Sequence, residues 1–125
     1  QAMVEQRLRA LVESVAAGFG AKASLAYERV YPATINSTRE AIFGAAVADE
    51  LVGAANVVRD LDPSMGAEDF SFMLRVRPGA YFRLGQGGAA EGCLLHSSRY
   101  DFNDAVLPVG AALFVRLAEQ SMPVG

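Results

Sequence analysis

The sequence has very few of the residues that usually build metal sites and disulfides. Its 125 residues include a single cysteine, Cys93, and a single histidine, His96. One cysteine cannot form an internal disulfide, and one histidine cannot complete a Cys₂His₂ or His₃ metal site. The pair Cys93-x-x-His96 resembles half of a zinc motif, but the chain has no second cysteine or histidine to finish it.

The sequence also lacks an excess of positive charge and any long apolar run. Its 11 Lys and Arg residues against 14 Asp and Glu residues leave a net charge of −3, which argues against a nucleic-acid partner. No apolar run approaches the roughly 18 residues of a membrane helix, and the start does not resemble a signal peptide. The sequence therefore predicts a cytoplasmic protein with neither a nucleic-acid nor a membrane partner.

Apolar residues make up 52% of the chain, enough for about one packed domain, and their spacing predicts an α/β fold. The predicted helices cover about 4–19, 37–52, 67–74 and 107–121. The first carries an apolar stripe that we expect to face a core, comprising Val4, Leu8, Leu11, Val12, Val15 and Phe19. The last carries a mostly apolar face formed by Leu107, Ala111, Phe114, Leu117 and Ser121.

Three stretches predict strands, and two local signals predict how helices begin. The strand candidates are 22–31, where β-branched and aromatic residues alternate with others, and the shorter 56–60 and 80–84. The stretch from Ser37 to Glu40 has the pattern of a capping box, in which two side chains satisfy free backbone amides at a helix start. Glu68 and Asp69 fall in the first turn of the predicted third helix, where acids suit the helix dipole.

His96 follows two leucines and precedes two serines, so it stands where a buried segment emerges into a polar loop. Loops held by a rigid core often carry ligand-binding residues. From the residues alone, a structural or solvated histidine is the commoner interpretation. Glu68 and Asp69 likewise have two interpretations. Their oxygens could bind a metal or orient an imidazole, or they could be solvated acids at a helix start.

Four stretches, in this order, resemble one protein family. They are Tyr31-Pro-Ala-Thr-Ile-Asn36, Met65-Gly-Ala-Glu-Asp-Phe70, Pro78-Gly-Ala-Tyr-Phe-Arg-Leu-Gly85 and Leu95-His-Ser-Ser-Arg-Tyr-Asp-Phe-Asn-Asp104. Together they resemble the metal-dependent N-acyl-amino-acid amidohydrolases of the hippurate hydrolase and indoleacetyl-amino-acid hydrolase type. Aminoacylase and carboxypeptidase G are related to these enzymes.

The resemblance implies the C-terminal part of a two-domain, metallopeptidase-like fold. Residues 1–36 resemble the last helix and strand of a lid domain that often mediates dimerisation. Residues 37–125 resemble the helices and strands with which the chain returns to the catalytic domain. The capping box that begins after Asn36 supports a boundary there. On this basis we expect a homodimer.

The resemblance also implies a site and a reaction. Family members hydrolyse the amide bond of N-acyl amino acids with two divalent ions, such as zinc, manganese, cobalt or nickel, which share a water molecule. His96 matches the last histidine ligand of that metal pair. No residue here matches the general base or the other ligands, so we assign no catalytic residue and expect this chain alone to be inactive.

The resemblance and the residues leave two roles open for each remaining candidate. Glu68 lines the substrate pocket or braces the ligand loop, or it is simply an acid at a helix start. Asn36 touches the substrate or, as the residues favour, caps a helix. A different class of function also stays open, in which the chain is a metal-free α/β module that associates with a partner through its first helix and strand.

Overall fold

The computed structural model describes residues 1–87 and 95–122. The chain divides into two compact units, Gln1–Pro32 and Ala33–Gly125. This division lies slightly before the boundary that the sequence places at Asn36. The assignment of the two parts to a lid and a catalytic domain stays a prediction.

All four predicted helices are present. They are α1 (Ala2–Gly18), α2 (Thr38–Val52), α3 (Phe70–Leu74) and α4 (Leu107–Ser121), with single 3-10 turns at Ala54–Asn56 and Asp104–Val106. Gly53 ends α2 with a φ of 83°, a backbone conformation that costs glycine little. Pro108 lies in the first turn of α4, where its missing N–H breaks no helical hydrogen bond. No described helix is long and apolar enough to cross a membrane.

The predicted α/β fold class is wrong, because the described residues contain helices but no strand. Residues 22–31, 56–60 and 80–84 were the strand candidates, and none joins a ladder. A strand exists only when its backbone pairs with that of a neighbouring strand, whereas apolar alternation requires only that one side of the segment be covered. The described part of the chain provides no such neighbour for these three segments.

The first unit shows where the predicted apolar stripe lies. No residue of α1 is buried, and Leu11 and Phe19 are 59% and 85% exposed, so the stripe does not face a core. The polar side of α1 makes the contacts instead. Glu5 accepts hydrogen bonds from Arg29, at 2.7 and 2.9 Å, and from Arg9 at 3.2 Å. A helical spacing of apolar residues shows that they share a face, but not that this face is covered.

In the second unit, α2 packs against α4 around a small core. Val47, at 1% exposed, is the single buried hydrophobic residue in the described part of the chain. The α4 face with partial burial is formed by Val109, Gly110, Ala112, Leu113 and Leu117. The predicted face was therefore rotated: Leu107 and Phe114 point outwards, at 55% and 76% exposed.

Two predicted helix starts also need correction. Ser37 precedes α2, but its side chain makes no capping bond, so the capping box does not form. Its hydroxyl oxygen accepts a hydrogen bond from Gly79 N–H at 3.1 Å instead, because the chain at residues 79–81 lies beside it. Helix α3 begins at Phe70, which leaves Glu68 and Asp69 before the helix rather than in its first turn.

Candidate functional site

Asn36 holds the backbone of Tyr81 with both ends of its amide group. The Tyr81 N–H donates to Asn36 Oδ1 at 2.8 Å, and Asn36 Nδ2 donates to the Tyr81 carbonyl at 3.2 Å. The next residue repeats this pairing, since Ser37 N–H donates to the Gly79 carbonyl at 2.9 Å. Asn36 thus acts as a side-chain partner for a distant peptide group and does not cap α2.

Glu68 holds the side chain of the same tyrosine. The Tyr81 hydroxyl donates to Glu68 Oε2 at 2.9 Å, and Phe70 N–H lies 3.5 Å from Glu68 Oε1. The Tyr81 ring also contacts the Phe70 ring, with centroids 5.7 Å apart and planes tilted by 43°. Glu68 and Tyr81 are both of intermediate exposure, so the phenol and the carboxylate meet at a partly solvated position.

The bond between these groups moves both of their pKa values. The hydrogen bond from Tyr81 stabilises the ionised carboxylate and lowers the pKa of Glu68. The same hydrogen bond favours the neutral phenol, and together with partial burial it raises the pKa of Tyr81. At neutral pH the pair is therefore a carboxylate that accepts from a protonated tyrosine.

The backbone at His96 has a φ of 69°. Among the described residues other than glycine, His96 is the one with a positive φ, a conformation that crowds a Cβ atom. Its side chain is exposed and has no hydrogen-bond partner in the described part of the chain. Left-handed backbone at a residue with a side chain is concentrated at functional positions, where it aims a side chain that a relaxed loop would turn away.

The described residues alone do not provide a metal pair. They contain no group of three His, Cys, Asp or Glu side chains close enough to hold an ion. Cys93, the other half of the zinc-like spacing, lies outside the described residues. Asp101 and Asp104 are exposed, and Asn103 between them is bound to Gln86 through Nδ2, which donates to the Gln86 carbonyl at 2.7 Å.

The structure thus brings Asn36 and Glu68 together through Tyr81, and it gives no contact of either with His96. Tyr81 is the residue that sequence reasoning missed, because it was noted only within a longer motif. A partly buried tyrosine needs a polar partner for its hydroxyl, and this requirement is a usable signal. That requirement does not show which nearby acidic residue accepts the hydrogen bond from the Tyr81 hydroxyl.

Comparison with known proteins decides the family. The model of peptidase family M20/M25/M40 matches residues 3–120. This chain belongs to that family. The resemblance seen in the four sequence stretches is therefore confirmed. No solved structure matches the chain.

Curated proteins similar to the chain include a carboxypeptidase, an IAA-amino acid hydrolase and a hippurate hydrolase. Thermostable carboxypeptidase 1 of Saccharolobus solfataricus is 34% identical over 117 residues, which are 89% of this chain and 28% of that protein. IAA-amino acid hydrolase ILR1-like 4 of Arabidopsis thaliana is 32% identical over 70% of this chain and 20% of its own length. Hippurate hydrolase of Campylobacter jejuni is 28% identical over 93% of this chain and 30% of its own length. The chain therefore spans less than a third of the length of these relatives.

Proposed function

We propose that this chain is part of a metal-dependent amidohydrolase that cleaves the amide bond of N-acyl amino acids of the hippurate type. Membership of the M20/M25/M40 family carries this proposal, since the relatives include a hippurate hydrolase and an IAA-amino acid hydrolase. The whole activity requires residues beyond those described, because one imidazole cannot hold two ions. The chain by itself is then inactive.

His96 supplies one ligand to the metal pair in this proposal. Two features of the structure support that role: the exposed imidazole, and the left-handed backbone that sets its direction. The remaining ligands and the general base lie outside the described residues. The identity of the ions, among zinc, manganese, cobalt and nickel, belongs to the same proposal.

Asn36 and Glu68 take part as positioning residues. Both ends of the Asn36 amide and both Glu68 oxygens are engaged by Tyr81 or by Phe70 N–H, which leaves these groups less able to bind a substrate directly. Their shared partner is the segment around Tyr81. We infer that they keep this segment in place beside the substrate pocket and contact the N-acyl amino acid only indirectly.

A chimera tests the proposal. Residues 1–125 would replace the matched 116-residue portion of Campylobacter jejuni hippurate hydrolase, which is 30% of that enzyme. We expect the purified chimera to bind divalent metal and to hydrolyse hippurate. The His96→Asn variant should reduce activity by at least about a hundredfold, because the loss of a ligand exceeds the usual effect of losing a residue that orients one.

The choice of asparagine provides the control for backbone effects. Asparagine tolerates positive φ better than most residues, so His96→Asn removes the imidazole and disturbs the loop little. An Arg116→Gln chimera, which changes an exposed residue of α4, should keep its activity. If the folded chimera binds no metal and cleaves no hippurate, the proposal fails, and the metal-free association module takes its place.

A further inference from the structure

Gln86 and Asn103 are joined by two hydrogen bonds. The backbone N–H of Asn103 donates to Gln86 Oε1 at 3.1 Å, and Asn103 Nδ2 donates to the Gln86 carbonyl at 2.7 Å. The chain turns directly after Gln86, since Gly87 has a φ of 88° and a Cβ atom there would lie 3.8 Å from Asn103 Nδ2. The two residues are 17 positions apart, and His96 lies between them in the sequence. We call the bonded pair Gln86 and Asn103 the amide clamp.

The amide clamp is fixed to the start of α4. Asn103 Oδ1 accepts a hydrogen bond from Ala105 N–H at 3.1 Å, and the Asn103 carbonyl accepts one from Val106 N–H at 3.1 Å. Helix α4 follows at Leu107 and packs against α2. Asn103 therefore connects the chain that precedes His96 with a packed helix that follows it.

The backbone beside His96 is held as well. Ser97 Oγ accepts a hydrogen bond from Arg99 N–H at 3.1 Å, and the Ser97 carbonyl accepts one from Tyr100 N–H at 3.0 Å. These bonds close a turn directly after His96, whose own backbone has the left-handed φ of 69°. Only two residues separate the end of this turn from Asn103, so the chain between His96 and the amide clamp has little slack.

We propose that Gln86 and Asn103 are positioning residues for His96. The proposal rests on the proposed function, in which His96 is a ligand of a divalent ion. Joining the two ends of a connecting segment removes conformations that the segment would otherwise sample. The imidazole is then held near its place before an ion arrives, and ion binding has a smaller ordering cost. Both residues act through the chain that they join.

Hydrogen exchange in the full chain, followed by NMR, tests whether the amide clamp forms. Gln86→Met keeps the length of the side chain but removes the acceptor of the Asn103 N–H. It should speed exchange of the Asn103 amide about fivefold, the usual effect of one hydrogen bond. Gln86→Glu keeps an acceptor oxygen and should retain the parent rate. Gln120→Met, a matched change at an exposed residue of α4 whose amide donates to Glu50, should also leave the Asn103 rate unchanged.

Zinc affinity tests the effect of the amide clamp on the metal site. It is measured in the chimera with hippurate hydrolase, by competition with a coloured chelator. Asn103→Asp keeps the acceptor for Ala105 N–H but removes the donor to the Gln86 carbonyl, and should raise the zinc dissociation constant about fivefold. Combined with Gln86→Met, it should raise that constant about twentyfold. Asn56→Asp removes the same kind of bond, from Asn56 Nδ2 to the Val52 carbonyl at 2.7 Å, and should have no effect.

Saturating metal separates positioning of a ligand from a general loss of structure. Hippurate hydrolysis by the Asn103→Asp chimera should return to near the parent kcat once zinc exceeds its dissociation constant, with KM for hippurate unchanged, because the imidazole is still present. The His96→Asn chimera should not recover. Circular dichroism checks that each chimera is folded.

The proposal fails on any of three results. The first is an Asn103 amide that exchanges equally fast in the parent chain and in Gln86→Met, which would mean that the amide clamp does not form in solution. The second is an unchanged zinc dissociation constant in the double variant while the His96→Asn chimera loses zinc, so that His96 stays a ligand without help from the amide clamp. The third is a folded parent chimera that binds no zinc, which removes the proposed function and this role with it.

Discussion

At the scale of single residues, His96 combines an unfavourable backbone with an exposed side chain. Left-handed backbone costs a residue with a Cβ atom about 1–2 kcal/mol, and the described part of the chain shows no hydrogen bond of the His96 side chain to offset this. A loop selected only for stability would place glycine or asparagine there. The conformation of His96 therefore lowers the stability of its loop, and replacing the residue measures by how much.

Replacement of His96 by glycine should stabilise the chain. We expect His96→Gly to raise the free energy of unfolding by about 1 kcal/mol, because glycine adopts positive φ without steric cost. Chemical denaturation followed by circular dichroism measures this change. His96→Ala is the matched control and should show no gain, since alanine keeps the Cβ atom. Equal stability of all three chains would remove the argument from backbone strain.

The bond between Glu68 and Tyr81 makes stability depend on pH at both ends of the range. The hydrogen bond from Tyr81 lowers the pKa of Glu68 in the folded chain, so its contribution to stability is present at neutral pH and is lost as pH falls through that lowered pKa. The pKa of Tyr81 is raised, so its contribution is present below about pH 10 and is lost as pH rises through the raised value.

Ultraviolet titration of the phenols tests this bond directly. Removing the carboxylate charge with Glu68→Gln should shift the pKa of one tyrosine back towards its ordinary value and flatten the loss of stability at acid pH. Tyr81→Phe identifies that tyrosine among the four in the chain. If Glu68→Gln leaves every phenol titration unchanged, the two groups do not interact in solution.

At the scale of elements, the contact between α2 and residues 79–84 depends on Gly44. A Cβ atom at Gly44 would lie 2.3 and 2.7 Å from two atoms of the Phe82 ring, and an aromatic ring cannot bend away as a flexible chain end can. At Gly110 the corresponding distance to Leu84 Cδ2 is 3.2 Å, which a small rotation of the leucine relieves.

Alanine should therefore be destabilising at Gly44 and tolerated at Gly110. Gly44→Ala should destabilise the chain by about 1–3 kcal/mol through overpacking, despite the better helix propensity of alanine. Gly110→Ala should be neutral or stabilising by up to about 1 kcal/mol, because helix propensity outweighs a mild contact. Thermal and urea denaturation measure both. A second change, Phe82→Leu, should recover part of the loss in Gly44→Ala, whereas no recovery would place the cause elsewhere.

The helices could be predicted from the sequence because their signals are local. The apolar periodicity, Gly53 and Pro108 act within a few residues of the helix that they define. The strands could not be predicted in the same way. In the strand candidate 80–84, Phe82 and Leu84 contact α2 and α4, but a ladder also needs a second strand. The prediction that the apolar stripe of α1 faces a core was wrong for a related reason, since burial depends on what covers a face.

The candidate site was predictable in part. The motif around His96 pointed to that residue, and the family match confirms the family from which its role was inferred. The pairing of Asn36 with Tyr81 joins residues 45 positions apart, and no local pattern reveals such a partner. The same holds for Ser37, whose hydroxyl binds Gly79 although its sequence context is typical of a helix cap.

At the scale of the whole molecule, the two compact units differ in what holds them together. The first unit, Gln1–Pro32, has no buried residue in its helix and relies on exposed ion pairs centred on Glu5, which are individually weak. The second unit contains the packed pair α2 and α4 with the buried Val47. We therefore expect the stability of the chain to reside mainly in the second unit.

Removal of the first unit tests this expectation. The hydrogen bonds that hold Tyr81 come from Asn36 and Glu68, and those of Gly79 come from Ser37, so all of them lie within residues 33–125. A polypeptide of residues 33–125 should therefore fold, retain α2 and α4, and keep the raised pKa of Tyr81. Circular dichroism and phenol titration, compared with the intact chain, measure these properties. A truncated chain whose tyrosines all titrate normally would show that the first unit is needed to build the site.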